Sequence, residues 1–325
     1  MELDKGFGCL RLITLRKISR TDLILTLVQT YLSVEMYKML LSGRLKPLIP
    51  YPALIIENSE KILVVTDLHI GWERVWSESG IYVPSQADKL SKKLLSLVEK
   101  YKPDRLILLG DVKQAITRVS MEEWREIPKF FETLQEHIDE VIVVLGNHDG
   151  DLEPLITPQI RILPSTGLTI GSDPSIGLFH GHAWPSPEVL SSEILVMGHI
   201  HPVVWFRDRL GLWTVQKVWM KTKCSGELIA SAYLKYLKVK THGNPLETFK
   251  LRTGLSLGDA RLIILPAFND LVGGVSINRM EKRLMGPILH SNGVDVKAAE
   301  VYLLDGTYLG MTEQLVKYLT DLAES

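Results

Sequence analysis

Five short polar clusters, each closing an apolar run, limit what this 325-residue chain can fold into. They read Asp67-Leu68-His69, Gly110-Asp111, Gly146-Asn147-His148-Asp149, His180-Gly181-His182 and Gly198-His199-Ile200-His201, and they hold six of the nine histidines. The runs before them are Ile62 to Thr66, Leu106 to Leu109, Val141 to Leu145, Ile176 to Phe179 and Ile194 to Met197. Their length and β-branched content suit buried strands. Between the first three lie helical patterns. Leu90, Leu94, Leu95 and Val98 share one face of a segment that runs from Pro84 to about Tyr101, and Glu122 to His137 is a second helix. Strand, helix, strand, helix, strand predicts a parallel sheet covered by helices, with its functional groups at the carboxyl ends of the strands.

Leu54 to Ile56 forms a hairpin with Ile62 to Thr66 through Asn58-Ser59-Glu60. After Gly150 the strands shorten and turn on Gly and Pro, as at Thr169-Ile170, Val203 to Phe206 and Leu212 to Val215. This half predicts a more antiparallel second sheet facing the first. Residues 217 to 260 read as less regular and rich in Lys and Arg; Arg261 to Leu265 and Val301 to Leu304 are further strands, and a helix closes the chain. Residues 1–45 carry no motif and read as a helical N-terminal extension of unknown role, ahead of one domain over 46–325. Met36 and Met39, just upstream of Pro47 and Pro50, leave a later natural start open as a second reading.

Composition excludes some classes. A net charge of −1 with 23% charged residues is not that of a surface built wholly for nucleic acid. A local basic groove from Lys217, Lys221, Lys223, Lys235, Lys238, Lys240, Lys250 and Arg252 stands beside the plainer reading of an ordinary solvated surface. Two cysteines, Cys9 and Cys224, and no secretory pattern point to the cytoplasm, with both thiols as small apolar fillers. No stretch has the roughly 18 to 20 apolar residues of a membrane span. Leu23 to Val34 is the nearest, reads as amphipathic, and no membrane partner is expected.

The clusters offer carboxylates and imidazoles, the donors that divalent ions such as Mn²⁺, Fe, Ni or Zn accept. Asp-x-His at a strand end, with side chains alternating at period two, places Asp67 and His69 on one face, and His199 with His201 repeats the arrangement. Asp111 has two oxygens with which to bridge a pair of ions. Asn147 supplies a neutral carbonyl ligand, and His148 is a candidate proton donor whose tautomer Asp149 would fix. Gly146 would let the backbone turn sharply at the strand end. Trp72 and Trp184 sit beside motifs, where packing is the plainer reading and stacking on a base or sugar the alternative. His137, His242 and His290 belong to no spaced motif and read as surface or satisfied core residues.

Taken in order, Asp-x-His, Gly-Asp, Gly-Asn-His-Asp, His and Gly-His-x-His resemble the calcineurin-like metallophosphoesterases. The extended forms DLHIGWE at 67 to 73, GDVK at 110 to 113, HGHAWP at 180 to 185 and GHIHP at 198 to 202 resemble the archaeal and bacterial phosphoesterases related to the Mre11/SbcD nucleases. PAFNDLVGG at 266 to 274 and YLLDGTYLG at 302 to 310 fit the same subgroup, so the resemblance spans roughly residues 50 to 315. It implies an α/β fold, a four-layer α/β/β/α sandwich of two facing mixed sheets flanked by helices. It implies two divalent ions, Mn²⁺ favoured: Asp67, His69 and His201 on the first, Asp111 bridging, and Asn147, His180 and His199 on the second. His180 is taken as the ligand in its motif, leaving His182 beside it or facing substrate. His148 would protonate the leaving oxygen or stabilise the transition state, oriented by Asp149. Subgroup members often carry His after GDVK, where this chain has Gln114. The expected activity is a metal-dependent phosphodiesterase on nucleotide or nucleic-acid diesters. A phosphomonoesterase or protein phosphatase on the same core, and a non-catalytic metal-binding scaffold, are the alternatives.

Overall fold

The computed structural model describes residues 44–207, 211–241, 243–279 and 284–324. The expected N-terminal extension, save its last two residues, lies outside them, as do Cys9 and His242.

The first sheet is built from β1 (Leu45–Pro47), β2 (Leu54–Glu57), β3 (Lys61–Val65), β4 (Arg105–Leu108), β5 (Glu140–Val144) and β6 (Arg161–Leu163), side by side in that order. β1, β2 and β3 pair antiparallel, and from β3 to β6 every pairing is parallel. A parallel neighbour requires a crossover. A short helix α1 (Glu73–Glu78) and the long α2 (Ala87–Tyr101) lead from β3 to β4, and α3 (Met121–Gln135) leads from β4 to β5. α2 buries Leu90, Leu94, Leu97 and Val98 and ends at Lys102 in a left-handed turn. α3 starts on a capping box: Ser120 Oγ accepts from Glu123 N–H at 3.1 Å and Glu123 Oε2 accepts from Ser120 N–H at 2.7 Å.

The second sheet contains β7 (Leu168–Ile170), β8 (Ile176–Leu178), β9 (Ile194–Met197), β10 (Val203–Arg207), β11 (Trp213–Cys224), β12 (Ala260–Ile264), β13 (Glu300–Leu303) and β14 (Tyr308–Met311). Its order is β14-β13-β11-β12-β9-β8-β7, with β10 paired to β11. β9 runs parallel to β8 and β12; the remaining pairings are antiparallel, as expected for this half. Helices α4 (Pro187–Leu190), α5 (Gly226–Tyr236), α6 (Pro245–Thr253) and α7 (Thr312–Glu324) accompany it.

Period-two alternation explains the layering. On the first sheet Leu63, Val65, Leu106, Leu108, Val141 and Val143 pack on α2 and α3. The alternate residues Ile62, Val64, Ile107, Ile142 and Val144 meet Ile176, Leu178, Ile194, Val196 and Ile263 of the second sheet. The other face of that sheet, with Leu195, Met197, Leu262 and Ile264, packs on Ile229, Ala230, Leu234 and Phe249 of α5 and α6. The result is the four-layer α/β/β/α sandwich.

One expectation fails. Residues 217 to 260 are regular: they hold most of β11 and the helices α5 and α6. The first half of β11 is an exposed ribbon with β10, whereas Val218, Trp219 and Met220 are buried between neighbours. That change of environment within one strand, with lysines at 217, 221 and 223, hides the alternation.

Ile107 is fully buried between the sheets. Ile107→Ala is expected to lower stability by about 2–5 kcal/mol, read as a shift of the urea midpoint with unchanged slope.

Candidate metal centre

All five clusters converge at the rim where β3, β4, β5, β8 and β9 end. Strand alternation is not what aims them. β3 stops at Val65, and Asp67, His69, Asp111, His199 and His201 lie beyond their strands with φ of 57°, 43°, 51°, 72° and 44°. Such left-handed positions cost a side-chain-bearing residue of order 1–3 kcal/mol and persist only where surroundings enforce them. Here they turn one side chain after another toward a common point.

The enforcement is visible. Phe268 N–H donates to Thr66 O at 2.9 Å, Asn269 N–H to Asp67 O at 3.4 Å, and Asn269 Nδ2 to Leu68 O at 2.8 Å. The loop that makes these bonds is held in turn by Lys217, whose Nζ donates to Ala267 O at 2.7 Å and Asn269 O at 2.5 Å, and by Lys93, which donates to Phe268 O at 2.9 Å. Burial, offset only in part by Asp270, lowers Lys217 to about 8. Lys217 therefore anchors the site from behind and is not part of a basic groove. Pro266 to Asn269 buttresses the centre, and Asn269 is fully buried there.

Each carboxylate uses one oxygen for structure and presents the other. Asp67 Oδ2 accepts from Thr66 Oγ1 at 2.9 Å and from His199 N–H at 3.1 Å, while Oδ1 lies 3.1 Å from His201 Nε2. Asp111 Oδ1 accepts from His148 N–H at 2.9 Å, while Oδ2 lies 3.3 Å from His180 Nε2 and 3.5 Å from His69 Nε2. His180 Nδ1 donates to Leu109 O at 2.8 Å and His201 Nδ1 to Gly273 O at 3.0 Å, which leaves each Nε2 lone pair facing inward. The Nε2 atoms of His69 and His201 are 3.3 Å apart. Buried Asp67 Oδ1 and His180 Nε2 complete no hydrogen bond of proper geometry. With the imidazoles neutral these inward atoms are all acceptors, a set that a cation placed among them would satisfy.

The electrostatics agree. Burial disfavours a charged imidazole, yet the Asp111 carboxylate pushes His180 up to about 9, and the Asp67 carboxylate likewise overcomes burial to raise His201. Burial drives His69 down to about 4, and burial with the charge of His180 brings His182 and His199 down to about 4. Burial would raise Asp67 and Asp111, but their histidine partners carry both below the usual carboxylate range.

The donors form two groups. Asp67, His69, Asp111 and His201 offer ligand atoms within 4.8 Å of one another, and so do Asp111, His180 and His199; Asp111 is common to both. Asn147 lies on the same loop as His148, exposed and without a side-chain hydrogen bond among the described residues. The His182 ring packs beside the second group, 5.3 Å from His180 and 6.1 Å from His199.

Asp149 does not orient His148. Its oxygens accept backbone N–H groups of Val112 at 2.9 Å, Lys113 at 3.3 Å and Gly146 at 2.9 Å, locking the two motif loops together. Burial and the charge of Asp111 raise it to about 6. The His148 ring is fixed instead by Gln114, whose carbonyl accepts from Nδ1 at 2.5 Å. His148 Nε2 then faces the centre, 3.9 Å from Asp111 Oδ2. Gly146 is required for close approach and not for a left-handed turn: a Cβ there would fall 2.2 Å from Asp111 Oδ1. Trp72 packs edge-on against His69 at 5.9 Å, and Trp184 packs on Tyr233 at 5.4 Å. His137 Nδ1 meets Thr133 O on the exposed face of α3, and Cys224 is buried and free.

The sandwich, with a donor cluster of this kind on its edge, defines the metallophosphoesterase class. Within it, the chain belongs to the calcineurin-like phosphoesterase family, whose profile matches residues 60–243. Among solved structures it is similar to the nuclease MPE of Pseudomonas putida, at 18% identity and a TM-score of 0.47 over 80% of this chain and 92% of that one. It is also similar to Yfce, a phosphoesterase from E. coli, at 20% identity and a TM-score of 0.31 over 45% of this chain and 73% of that one. No curated protein matches it. No described helix is long and apolar enough to cross a membrane.

Gly146→Ala displaces Asp111 and is expected to weaken metal uptake roughly 10- to 100-fold, measured by calorimetric titration with Mn²⁺, while far-ultraviolet dichroism stays native.

Proposed function

We propose that this protein is a dinuclear-metal-dependent phosphodiesterase acting on nucleotide or nucleic-acid diesters. The observation that carries the reading is Asp111, a carboxylate shared between two donor groups, each otherwise completed by its own carboxylate or imidazoles. Asp67, His69 and His201 would hold one ion, and His180, His199 and Asn147 the other, with Asp111 between them. Divalent ions held there would acidify a water and offset charge on a phosphoryl oxygen. The mixed carboxylate, amide and imidazole set suits Mn²⁺, with Fe, Ni and Zn as alternatives. Preference for a diester is supported by the likeness of the extended motifs to Mre11/SbcD-related phosphoesterases.

The chain's own residues do the rest by position. Asp67 and Asp111 supply negative charge held rigidly by backbone N–H groups, so little reorganisation accompanies the reaction. Displacement at phosphorus by water, whose proton passes to solvent, would form the new P–O bond as the bond to the leaving oxygen breaks with its electron pair. That oxygen takes a proton from His148 Nε2, whose ring is held at Nδ1 by Gln114 O. The products are a phosphomonoester and an alcohol.

The test starts from metal-stripped protein with Mn²⁺ restored, assayed on an aryl phosphodiester and the matching monoester. Diester turnover is expected to exceed monoester turnover, and Asp67→Asn and Asp111→Asn are each expected to lose roughly 100-fold or more in kcat with unchanged melting behaviour. Faster monoester cleavage would bring the phosphomonoesterase reading forward. Two ions bound with neither ester cleaved would leave a scaffold.

A further inference from the structure

In-line displacement fixes where the leaving group must lie: opposite the attacking oxygen, on the side of the group that protonates it. That group is His148 in the reading above, on which this inference rests. A cavity of 540 Å³ opens directly beside His148, between α1 and the loop that follows β4. Ligand pockets run roughly 300 to 1,000 Å³. A second cavity of similar size lies against Trp184 and does not include His148.

The lining of the first cavity offers two chemistries, apolar surface and guanidinium. Val75 and Ile116 present apolar surface that nothing covers, at 41% and 56% exposure. Gln114, whose backbone carbonyl holds His148, stands in the cavity wall. Two guanidinium groups border the space. Arg74 is paired with Glu78 at 3.0 Å, but Arg118 is exposed and makes no ion pair with any described residue. An uncommitted cation and bare apolar surface beside the proton donor together match a ring-bearing alcohol that carries its own anion. A small alkyl or aryl leaving group would leave that cation unused.

We propose that this cavity is the leaving-group subsite and that the group it receives is a nucleotide, its ring against Val75 and Ile116 and its own phosphate on Arg118. Arg118 then reads a phosphate one position beyond the scissile one, and the substrate is a nucleic-acid strand or a phosphorylated dinucleotide. The reaction balances as written above: the P–O bond to the leaving nucleotide breaks, its oxygen takes the proton of His148, and the departing product keeps its remote phosphate.

Three thymidine dinucleotides test this in the Mn²⁺-loaded protein: one with a 5′-phosphate, one with a 3′-phosphate and one with neither. One phosphorylated form is expected to exceed the bare dinucleotide at least tenfold in kcat/KM, and Arg118→Ala is expected to erase that preference. The end whose phosphate helps identifies the leaving nucleoside. Equal kcat/KM for all three, or a preference intact in Arg118→Ala, overturns the subsite while leaving the phosphodiesterase reading in place; a protein inert toward every phosphoester overturns both. Calorimetry with thymidine 3′,5′-bisphosphate, without added metal, gives a readout apart from turnover. Arg118→Ala and Ile116→Glu should each weaken binding tenfold, and undiminished affinity in both overturns the assignment.

Discussion

Electron-rich atoms that repel one another are packed at the rim of this protein, and the rest of the structure exists to keep them there. Asp67 Oδ1, Asp111 Oδ2 and the inward nitrogens of His69, His180 and His201 approach within 3.1 to 3.5 Å. In a buried, low-dielectric place such a set is stable only around positive charge. The histidines show the demand and its limit at once. Those set against carboxylates, His180 and His201, are pushed toward the charged form, and His182 and His199 beside them are pushed away from it. A cation held among these atoms satisfies in one place what protons satisfy only piecemeal.

The loops that carry the donors are fastened to one another more than to the sheets. His69 N–H donates to Asp111 O at 2.9 Å, Asp67 N–H to Gly110 O at 3.1 Å and Gly198 N–H to His180 O at 3.0 Å. Asp149 ties the second and third motifs, and Asn269 ties the first from behind. Side chains that carry no chemistry therefore set its geometry. The sheet interface beneath is apolar and fully buried, and it supplies the stability from which this constrained rim is drawn.

Much of this was legible in the residues. Apolar runs matched most strands to within a residue or two, and the order of motifs placed the centre. What escaped were long-range consequences of packing. Lys217 belonged by composition to a basic surface and by position to the back of the centre. Asp149 adjoins His148 in the chain, but adjacency does not give contact: the turn sends its carboxylate into backbone amides and leaves the ring to Gln114. Nor could spacing reveal that Asp67 and His69 converge through left-handed backbone, because period-two alternation would have aimed them alike. α5 was readable from Ile229, Ala230, Tyr233 and Leu234, and only the surrounding lysines drew attention from it.

The left-handed backbone at five donor positions sets the terms on which this chain can drift in sequence. Glycine relaxes such a position, because it adopts positive φ without strain, and asparagine and aspartate tolerate it better than most. A change to glycine at His69, His199 or His201 that removes the donor can therefore leave the fold as stable as before, or more so, whereas Asp67 and Asp111 also accept buried structural hydrogen bonds. Decay of the imidazole donors has no thermodynamic guard. Their persistence across descendants must be maintained by use alone, and a lineage that ceases to need the chemistry would keep the sandwich long after losing the rim.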